Sequence, residues 1–535
     1  MAETKYIFVT GGVASSLGKG IISSSIGKLL QARGYNITIQ KFDPYINIDP
    51  GTLNPHEHGE CYVTIDGLET DLDLGHYERF TGVQTTRANS ITTGRIYQSV
   101  IEKERRGDYL GKTIQVVPHI TDEIKRNIKL MGQKYKFDFV ITEIGGTVGD
   151  MESLPYIEAI RQLRWEMGKN AINVHLTYVP YLAAAQELKT KPTQNSVKQL
   201  QGLGIQPDIL ILRSEHDLCS SVRKKVAQFC NVDEDAVIQS LDVPTIYEVP
   251  LRMQEQKLDA IILRKMQMEV GETPSLGPWR SFLDRRNKAT EVVDIALVGK
   301  YDLQDAYKSI LESLSQAATY NDYKVKTHFV NSEKLTKENV AETLSGMAGV
   351  LICPGFGQRG LEGKIIAAEY TRTNDIPTFG ICMGMQQMVI EFARNVLGYA
   401  DANSLEIDET TKHNVIDVME DQKNLTQKGG AMRLGGYECI LRKGSRVEEI
   451  YGTTEIKERH RHRYEFNNQY TKEFEDAGMQ CVGVNPESGL IEAVEIPELK
   501  WYIGVQYHPE YSSTVLKPHP LFMSFIKASI ANINK

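Results

Sequence analysis

Two doubly wound α/β domains joined in series are what this sequence predicts, and three observations carry the expectation. Short apolar runs alternate with helical patterns in both halves of the chain. The alternation breaks once, from Met266 to Thr290, where Pro274, Gly277 and Pro278 sit among Arg285, Arg286 and Lys288. The chain also has 535 residues, too many for one hydrophobic core. The expected organisation is a first domain over residues 1–266, a linker over 267–290 and a second domain over 291–535.

The first domain opens with a β-α-β unit. Lys5 to Thr10 is a β-branched and aromatic run that enters a Gly/Ser-rich loop; a helical pattern holds from Ile21 to Gln31, and a second apolar run follows from Asn36 to Phe42. The runs Asp138 to Thr142, Asn173 to Val179 and Asp208 to Leu212 read as strands of a parallel sheet buried on both faces. After the linker, Val292 to Val298, Lys324 to Val330, Val350 to Cys353 and Thr378 to Ile381 repeat the pattern with helical segments between them. No internal repeat and no low-complexity tract interrupts either half.

Composition bounds the function. With 41% hydrophobic and 24% charged residues the chain reads as a globular enzyme rather than a disordered or fibrous one. A formal net charge of -8 argues against nucleic acid as a partner and leaves room for a local basic pocket that takes a small anionic substrate. Seven cysteines without a C-x-x-C pair fit reduced thiols, and no leader follows Met1, so a cytoplasmic location is expected. The most apolar later stretch, Ala171 to Ala185, is interrupted by His175 and Pro180 and is too short for a membrane span of roughly 20 residues.

In the second domain, Pro377 to Gln386 is an apolar strand running into Cys382, with Gly380 and Gly384 on either side and a helical pattern from Met385 to Arg394. A strand, elbow and helix expose a nucleophile at a sheet edge and aim it over a helix N-terminus that favours a thiolate. Taken alone, a buried structural cysteine reads as well, since free cysteines are among the most buried residues. Near the C-terminus, Gly504-Val-Gln-Tyr-His-Pro-Glu510 puts His508 and Glu510 two residues apart after an apolar strand, where alternation would point both the same way. His508 would deprotonate Cys382, and Glu510 would hold the imidazole in the needed tautomer.

Together, Gly-Ile-Cys-x-Gly-x-Gln and Gln-x-His-Pro-Glu resemble a class I glutamine amidotransferase over roughly residues 292–530. The resemblance implies that the thiolate attacks the glutamine side-chain amide and that backbone N–H groups of Gly355 and Met383 hold the oxyanion. It implies glutamine contacts at Gly355, Met383, Gly384, Met385, Gln386, Glu406 and Arg463. Arg463 ends the run Arg459-His-Arg-His-Arg463, which by itself reads as a solvated basic face. Relatives commonly have Pro-Gly-Gly-Phe-Gly before the elbow and Leu after the cysteine; here Cys353-Pro-Gly-Phe-Gly357 and Met383 stand instead. Pro354 has no N–H, which leaves Gly355 as the donor of that loop.

Between the first strand and first helix, Gly11-Gly-Val-Ala-Ser-Ser-Leu-Gly-Lys-Gly20 can cradle phosphates on backbone N–H groups and a helix dipole. It is not a standard phosphate loop, because Gly20 follows Lys19 where Ser or Thr would bind Mg²⁺. Asp73 and Glu143 are the candidate metal ligands; either alone reads more readily as a solvated loop acid, and the two together beside a phosphate loop shift the balance. A second cluster, Lys189-Thr-Lys-Pro-Thr-Gln194, has the alternating cations, hydroxyls and amide to clamp another triphosphate.

These segments, with Lys-x-Asp-Pro-Tyr-Ile-Asn, Gly-His-Tyr-Glu-Arg-Phe and Glu-Ile-Gly-Gly-Thr-Val-Gly-Asp in order, make the whole chain similar to the CTP synthase family. The resemblance implies a P-loop-like, dethiobiotin-synthetase-like synthetase domain followed by a class I glutamine amidotransferase domain. It implies ATP at Ser16, Leu17, Gly18, Lys19, Gly20, Ile21, Lys41 and Asp73, with Mg²⁺ on Asp73 and Glu143. UTP, and CTP as feedback inhibitor, would lie against Ser15, Asp150, Met151, Glu152, Lys189, Thr190, Lys191, Pro192, Thr193, Gln194 and Lys225. ATP would phosphorylate the uracil O4, and ammonia from L-glutamine would displace the phosphate, passing between domains by way of Pro55 and His58. Cys61 stands where relatives often have valine. GTP activation through Arg359 and Arg433, which read equally as surface arginines, and a homotetramer with a possible filament form are further implications. Two rivals remain: a corrin-ring amidase, against which the Lys-Thr-Lys-Pro-Thr-Gln and His-Pro-Glu segments count, and a partitioning ATPase, which leaves Cys382, His508 and Glu510 unused.

Overall fold

The apolar runs of the N-terminal half become seven parallel strands: β1 (Lys5–Gly11), β2 (Ile37–Asp43), β3 (Ser90–Thr92), β4 (Phe139–Ile144), β5 (Ala171–Tyr178), β6 (Ile209–Ser214) and β7 (Val237–Leu241). Their order is β7-β6-β5-β1-β4-β2-β3. The computed structural model describes residues 3–301, 304–418 and 432–533. It divides into two units, Met1–Thr52 with Asp73–Pro278 and Leu53–Leu72 with Trp279–Lys535.

In the first unit β1, β2 and β4 are buried almost throughout, as strands covered by helices on both faces must be. Neighbours β1 and β4 connect onward to opposite sides of the sheet, β1 to β2 and β4 to β5, so the loops after them open the crevice where such sheets bind ligands. Helix α1 (Lys19–Ala32) begins there, capped by Gly18 at φ 94°. Val13 at φ 78° and Ser16 at φ 58° also hold left-handed backbone, an unusual cost for a β-branched residue that marks a loop shaped for a ligand.

The second unit carries nine strands in one sheet: β8 (Val292–Gly299), β9 (Lys324–Asn331), β10 (Gly349–Ile352), β11 (Thr378–Ile381), β12 (Arg433–Leu441), β13 (Glu455–His462), β14 (Gln480–Val484), β15 (Ile491–Glu495) and β16 (Tyr502–Val505). The order is β9-β8-β10-β11-β16-β15-β14-β12-β13. From β9 to β16 the pairs are parallel; from β16 onward they are antiparallel. Apolar residues on both faces, such as Ile352 with Met388 on one and Phe379 with Phe525 on the other, form its two core layers.

Two segments differ from the sequence-based layout. The stretch read as linker is helical from Gly277 to Lys288, because Pro278 suits a first helical turn and Trp279, Phe282 and Leu283 fall on one buried face. Residues 53–72, counted with the first domain from sequence, pack with the second unit. Glu60 accepts hydrogen bonds from the backbone N of Ser309, at 3.0 and 2.9 Å to its two oxygens, and so caps the helix Lys308–Tyr320. Arg459 donates to Tyr62 Oη and the Val63 carbonyl at 3.0 and 2.9 Å, and Arg461 Nε pairs with Glu69 at 2.7 Å. Such long-range pairs carry no local signature. Among the described residues no helix is long and apolar enough to cross a membrane, and the seven cysteines are free thiols.

Glu60→Ala should therefore lower the stability of the second unit by about 1–2 kcal/mol, the usual loss for a helix cap. Urea unfolding followed by circular dichroism checks it, and an unchanged midpoint contradicts the capping role.

Candidate functional site

The parallel pairing of β11 with β16 brings together the segments that carry Cys382 and His508, the candidate nucleophile and base. Ile381 lies opposite Val505, and the Cys382 N–H donates to the Val505 carbonyl at 2.7 Å, so the chain leaving β16 arrives beside the thiol. Cys382 sits between strand and helix at φ 53° and ψ -109°, a strained conformation costing roughly 1–3 kcal/mol that turns its side chain over the first turn of helix Met383–Asn395. The flanking glycines have a steric reason. A methyl group on Gly380 would lie 2.2 Å from Met388 Sδ, and one on Gly384 would lie 2.1 Å from the Ile352 carbonyl oxygen. The helix packs directly on β10 and β11, and only glycine leaves room.

His508 lies past the end of β16 rather than on it, so the strand alternation expected from sequence is not what aligns it with Glu510. Pro509–Ser512 forms a 3₁₀ turn that folds Glu510 back, and His508 Nδ1 meets Glu510 Oε1 at 2.7 Å. The His508 N–H donates to the Arg459 carbonyl at 2.8 Å, and its ring stacks on Tyr511 with centroids 5.1 Å apart. With Nδ1 engaged by the carboxylate, Nε2 faces the thiol side. Burial pushes the imidazole pKa down, but the neighbouring charges of Glu510 and Cys382 outweigh it and raise it to about 10, against 6.5 ordinarily. His508 is thus an imidazolium at neutral pH, the form that stabilises a thiolate. The stability this contributes is complete below the ordinary pKa and is lost as pH rises toward about 10.

An open pocket lies over the thiol, lined by Gly355, Phe356, Cys382, Met383, Gln386, Glu406, His462, Arg463 and Tyr464. Gln386 Nε2 donates to the Tyr464 carbonyl at 2.8 Å and to Gln506 Oε1 at 3.1 Å, and Gln506 Nε2 donates to Cys382 Sγ at 3.6 Å. Glu406 accepts from the Gly357 N–H at 3.3 Å; burial raises its pKa, against the pull of Arg463 and Lys300. Gly384 and Met385 do not line the pocket: Gly384 abuts Ile352 and Met385 is fully buried in the core. Sequence reasoning did not reach Phe356, His462, Tyr464 or Gln506, although each is adjacent to or within a motif it singled out.

The run Arg459 to His462 is not a solvated face. It lies on β13, with Arg459, His460 and His462 buried at 1%, 0% and 2% exposure. Burial lowers the pKa of both histidines well below the ordinary value, so they are neutral, with His460 Nδ1 and His462 Nε2 2.8 Å apart. Arg433 is likewise no surface arginine: it is buried, paired with Glu492 at 2.6 Å and set against the Tyr437 ring at 4.2 Å. Arg359 is exposed beside Glu333 at 3.5 Å.

In the first unit the strand register gathers the candidate phosphate-site residues. β2 and β4 pair Lys41 with Glu143, β1 and β4 pair Val9 with Glu143, and all lie at the carboxyl ends of the strands. Lys41 Nζ bonds both Asp73 and Glu143 Oε1, the latter at 3.3 Å, and Tyr77 Oη donates to Glu143 Oε2. Burial raises the Glu143 pKa, opposed by Lys41 and reinforced by Asp73. Lys19 Nζ donates to the Gly146 carbonyl at 2.6 Å, and burial lowers its pKa against the pull of Glu143. A methyl group on Gly20 would lie 2.3 Å from Asp73 Oδ1, so glycine there lets the carboxylate approach the loop. Below the loop, His175 joins Thr10 Oγ1 and Ser196 Oγ, both at 2.9 Å; burial pushes its pKa down to about 3 and keeps it neutral.

Ser15 and Ser16 are exposed on the loop, with Leu17 and Ile21 bordering it. Asp150 Oδ2 accepts from the Thr147 N–H at 3.1 Å, and Met151 and Glu152 beside it are exposed. Lys189 and Thr190 lead into the helix Lys191–Gly202, whose first turn carries Pro192, Thr193 and Gln194. Its free N–H groups suit an anion. Thr193 Oγ1 lies 3.0 Å from Thr177 Oγ1, and Gln194 Nε2 donates to Thr190 Oγ1 at 3.1 Å. Lys225 is exposed on the helix Ser220–Cys230.

A family profile described as CTP synthase N-terminus matches residues 5–268, and one described as glutamine amidotransferase class-I matches residues 302–528. The chain is 76% identical over 534 residues to a CTP synthase of Bacteroides thetaiotaomicron, a match covering 99% of each chain. It is 66% identical over 536 residues to a CTP synthase of Porphyromonas gingivalis, covering 100% of this chain and 99% of that one. A solved Trypanosoma brucei CTPS glutaminase domain with bound acivicin is similar at 37% identity and a TM-score of 0.43, over 45% of this chain and 94% of that one. Identity of 66–76% over nearly the whole chain decides the family. The chain belongs to the CTP synthase family and is an ATP-dependent ligase that hydrolyses glutamine as its amido donor.

Proposed function

We propose that the chain makes CTP from UTP by two coupled reactions, glutamine hydrolysis at Cys382 and ATP-driven amination at the phosphate site. The observation that carries this reading is the strained Cys382 elbow beside the His508–Glu510 pair, at the floor of a pocket with two unengaged N–H groups. Among the described residues, neither the Gly355 nor the Met383 N–H has an acceptor.

The Cys382 sulfur attacks the glutamine carboxamide carbon. An S–C bond forms, the C=O π pair moves onto oxygen, and Gly355 and Met383 donate to that oxyanion. His508 gives the proton taken from the thiol to the amide nitrogen, the C–N bond breaks and ammonia leaves. Water then adds to the thioester, the S–C bond breaks and glutamate departs. Arg463 grips the substrate α-carboxylate and Glu406 its ammonium, while Gln386 orients the carboxamide and Gly384 and Met385 keep the helix start close to the thiol.

At the other site ATP lies against Ser16 to Ile21, Lys41 and Asp73. UTP, or CTP as inhibitor, lies against Ser15, Asp150 to Glu152, Lys189 to Gln194 and Lys225. The uracil O4 attacks the γ-phosphorus as ADP leaves and N3 gives up its proton; ammonia then adds at C4, the C–O bond breaks with loss of phosphate, and the added nitrogen gives up a proton to leave the amine. Lys19 and Lys41 neutralise charge on the moving phosphoryl group. Three carboxylates surround Lys41 Nζ, Asp73, Glu143 at 3.3 Å and Asp43 at 3.8 Å, and no group of acids, His or Cys that could enclose a metal by itself occurs among the described residues, which suits an ion that takes its other ligands from phosphate and water. Asp73 and Glu143 would hold that Mg²⁺, which would neutralise phosphate charge. Ammonia delivery by way of Pro55 and His58, GTP activation through the exposed Arg359 and a cytoplasmic homotetramer complete the proposal; buried and paired with Glu492, Arg433 is left out of the GTP contacts.

With Mg²⁺, ATP and UTP, Cys382→Ala should make CTP from ammonium salt and none from glutamine, whereas Lys19→Ala should lose both syntheses and still hydrolyse glutamine. Glutamine-dependent synthesis in Cys382→Ala would remove the thiol from the mechanism. Glu510→Gln takes away the charge that raises His508, so glutamine hydrolysis should fall by a factor on the order of 10² or more. Alkylation of Cys382 by iodoacetamide at pH 7 should slow at least about tenfold in the same variant, and an unchanged rate contradicts the His508–Glu510 assignment.

A further inference from the structure

The second unit buries a lysine that the chemistry above does not use. Lys364 stands in the first turn of the helix Leu361–Thr373 with 1% exposure, and its Nζ donates to the Cys353 carbonyl at 2.7 Å. The position is unfavourable in three ways. Burial strips water from an ammonium, a helix N-terminus repels a cation, and a second ammonium, Lys300, lies on the same loop. Lys300 Nζ donates to the Phe356 carbonyl, and a methyl group on Gly355 would lie 3.6 Å from Lys300 Cε and 3.8 Å from Lys364 Nζ. Two lysines therefore bracket the segment Cys353–Phe356.

Trans peptide geometry then fixes where the N–H groups go, because C=O and N–H of one peptide point oppositely. With the Phe356 carbonyl turned to Lys300, the Gly357 N–H turns the other way and meets Glu406 at 3.3 Å. With the Cys353 carbonyl drawn to Lys364 and no N–H on Pro354, the next donor is Gly355, which borders the pocket with Cys382 and Met383.

We propose that Lys364 is a positioning residue of glutamine hydrolysis: its ammonium fixes the Cys353–Gly355 segment so that the Gly355 N–H meets the oxyanion formed at the substrate carbonyl. The inference rests on the reading of Cys382 as nucleophile. Burial pulls the Lys364 pKa down to about 8, which leaves the group charged at neutral pH.

The test uses the full chain with Lys364→Met, which keeps the length and removes the ammonium, and Lys364→Arg, which keeps a cationic donor. Glutamine hydrolysis is measured with ATP and UTP present, iodoacetamide labelling is read at Cys382 by peptide mass spectrometry, and CTP synthesis from ammonium salt reports the rest of the molecule. In Lys364→Met, kcat for glutamine should fall at least about tenfold, toward the loss expected for one oxyanion donor, with KM within about threefold. Labelling of Cys382 and ammonium-dependent synthesis should stay within about twofold, since neither forms the oxyanion, and Lys364→Arg should recover part of kcat. A kcat in Lys364→Met within about twofold of the parent overturns the proposal. So does a parallel fall of hydrolysis, labelling and ammonium-dependent synthesis, which would assign Lys364 to the fold. If labelling Cys382 in the parent leaves hydrolysis intact, the nucleophile assignment fails first and takes this inference with it.

Discussion

One backbone hydrogen bond orders the candidate glutaminase site: the N–H of Cys382 on the carbonyl of Val505, at 2.7 Å. It closes the parallel ladder between β11 and β16 at the point where both chains leave the sheet. The elbow turns the thiol over the helix start on one side, and the 3₁₀ turn returns His508 and Glu510 on the other. A slip of one residue in this register would carry His508 away from the thiol, because strand neighbours alternate faces. The strain at Cys382 persists because the helix behind it is seated on Gly380 and Gly384, with no room for a side chain at either position.

The proposed phosphate site follows the same logic with charges in place of a thiol. Parallel pairing aligns Lys41 with Glu143 on adjacent strands, and Asp73 opens a helix that packs against Gly20. A lysine among three carboxylates, Asp43, Asp73 and Glu143, is a preorganised charge cluster, so ATP and its metal would replace existing ionic partners rather than order new ones. The neutral His175 under the loop ties β1 to the helix whose N-terminus carries the Lys-Thr-Lys-Pro-Thr-Gln segment, so the two segments proposed to hold triphosphates share one buried support.

Much of this was legible in the sequence because the chemistry sits in local motifs. Glycines around Cys382, the His-Pro-Glu ending and the Gly/Ser-rich loop each announce backbone geometry that few other residues tolerate. Apolar runs located the main parallel strands, since strands buried on both faces are continuously apolar. What escaped depends on pairing between distant segments. Arg459 to His462 looks like a solvated basic run, yet its partners are Tyr62, Val63, Glu69 and the neighbouring β12, remote in sequence or uninformative by composition. Residues 53–72 carry no mark of packing with the second unit, and Lys364 resembles any helix lysine until the Cys353 carbonyl is found above it.

The central claim is that nitrogen released from glutamine at Cys382 becomes the exocyclic amine of CTP. Supplying amide-¹⁵N glutamine with ATP, UTP, Mg²⁺ and an equal concentration of unlabelled ammonium at neutral pH, then weighing the CTP by mass spectrometry, tests it directly. The account predicts CTP that carries ¹⁵N. CTP built only from the unlabelled ammonium, while labelled glutamine is consumed to glutamate, would contradict it.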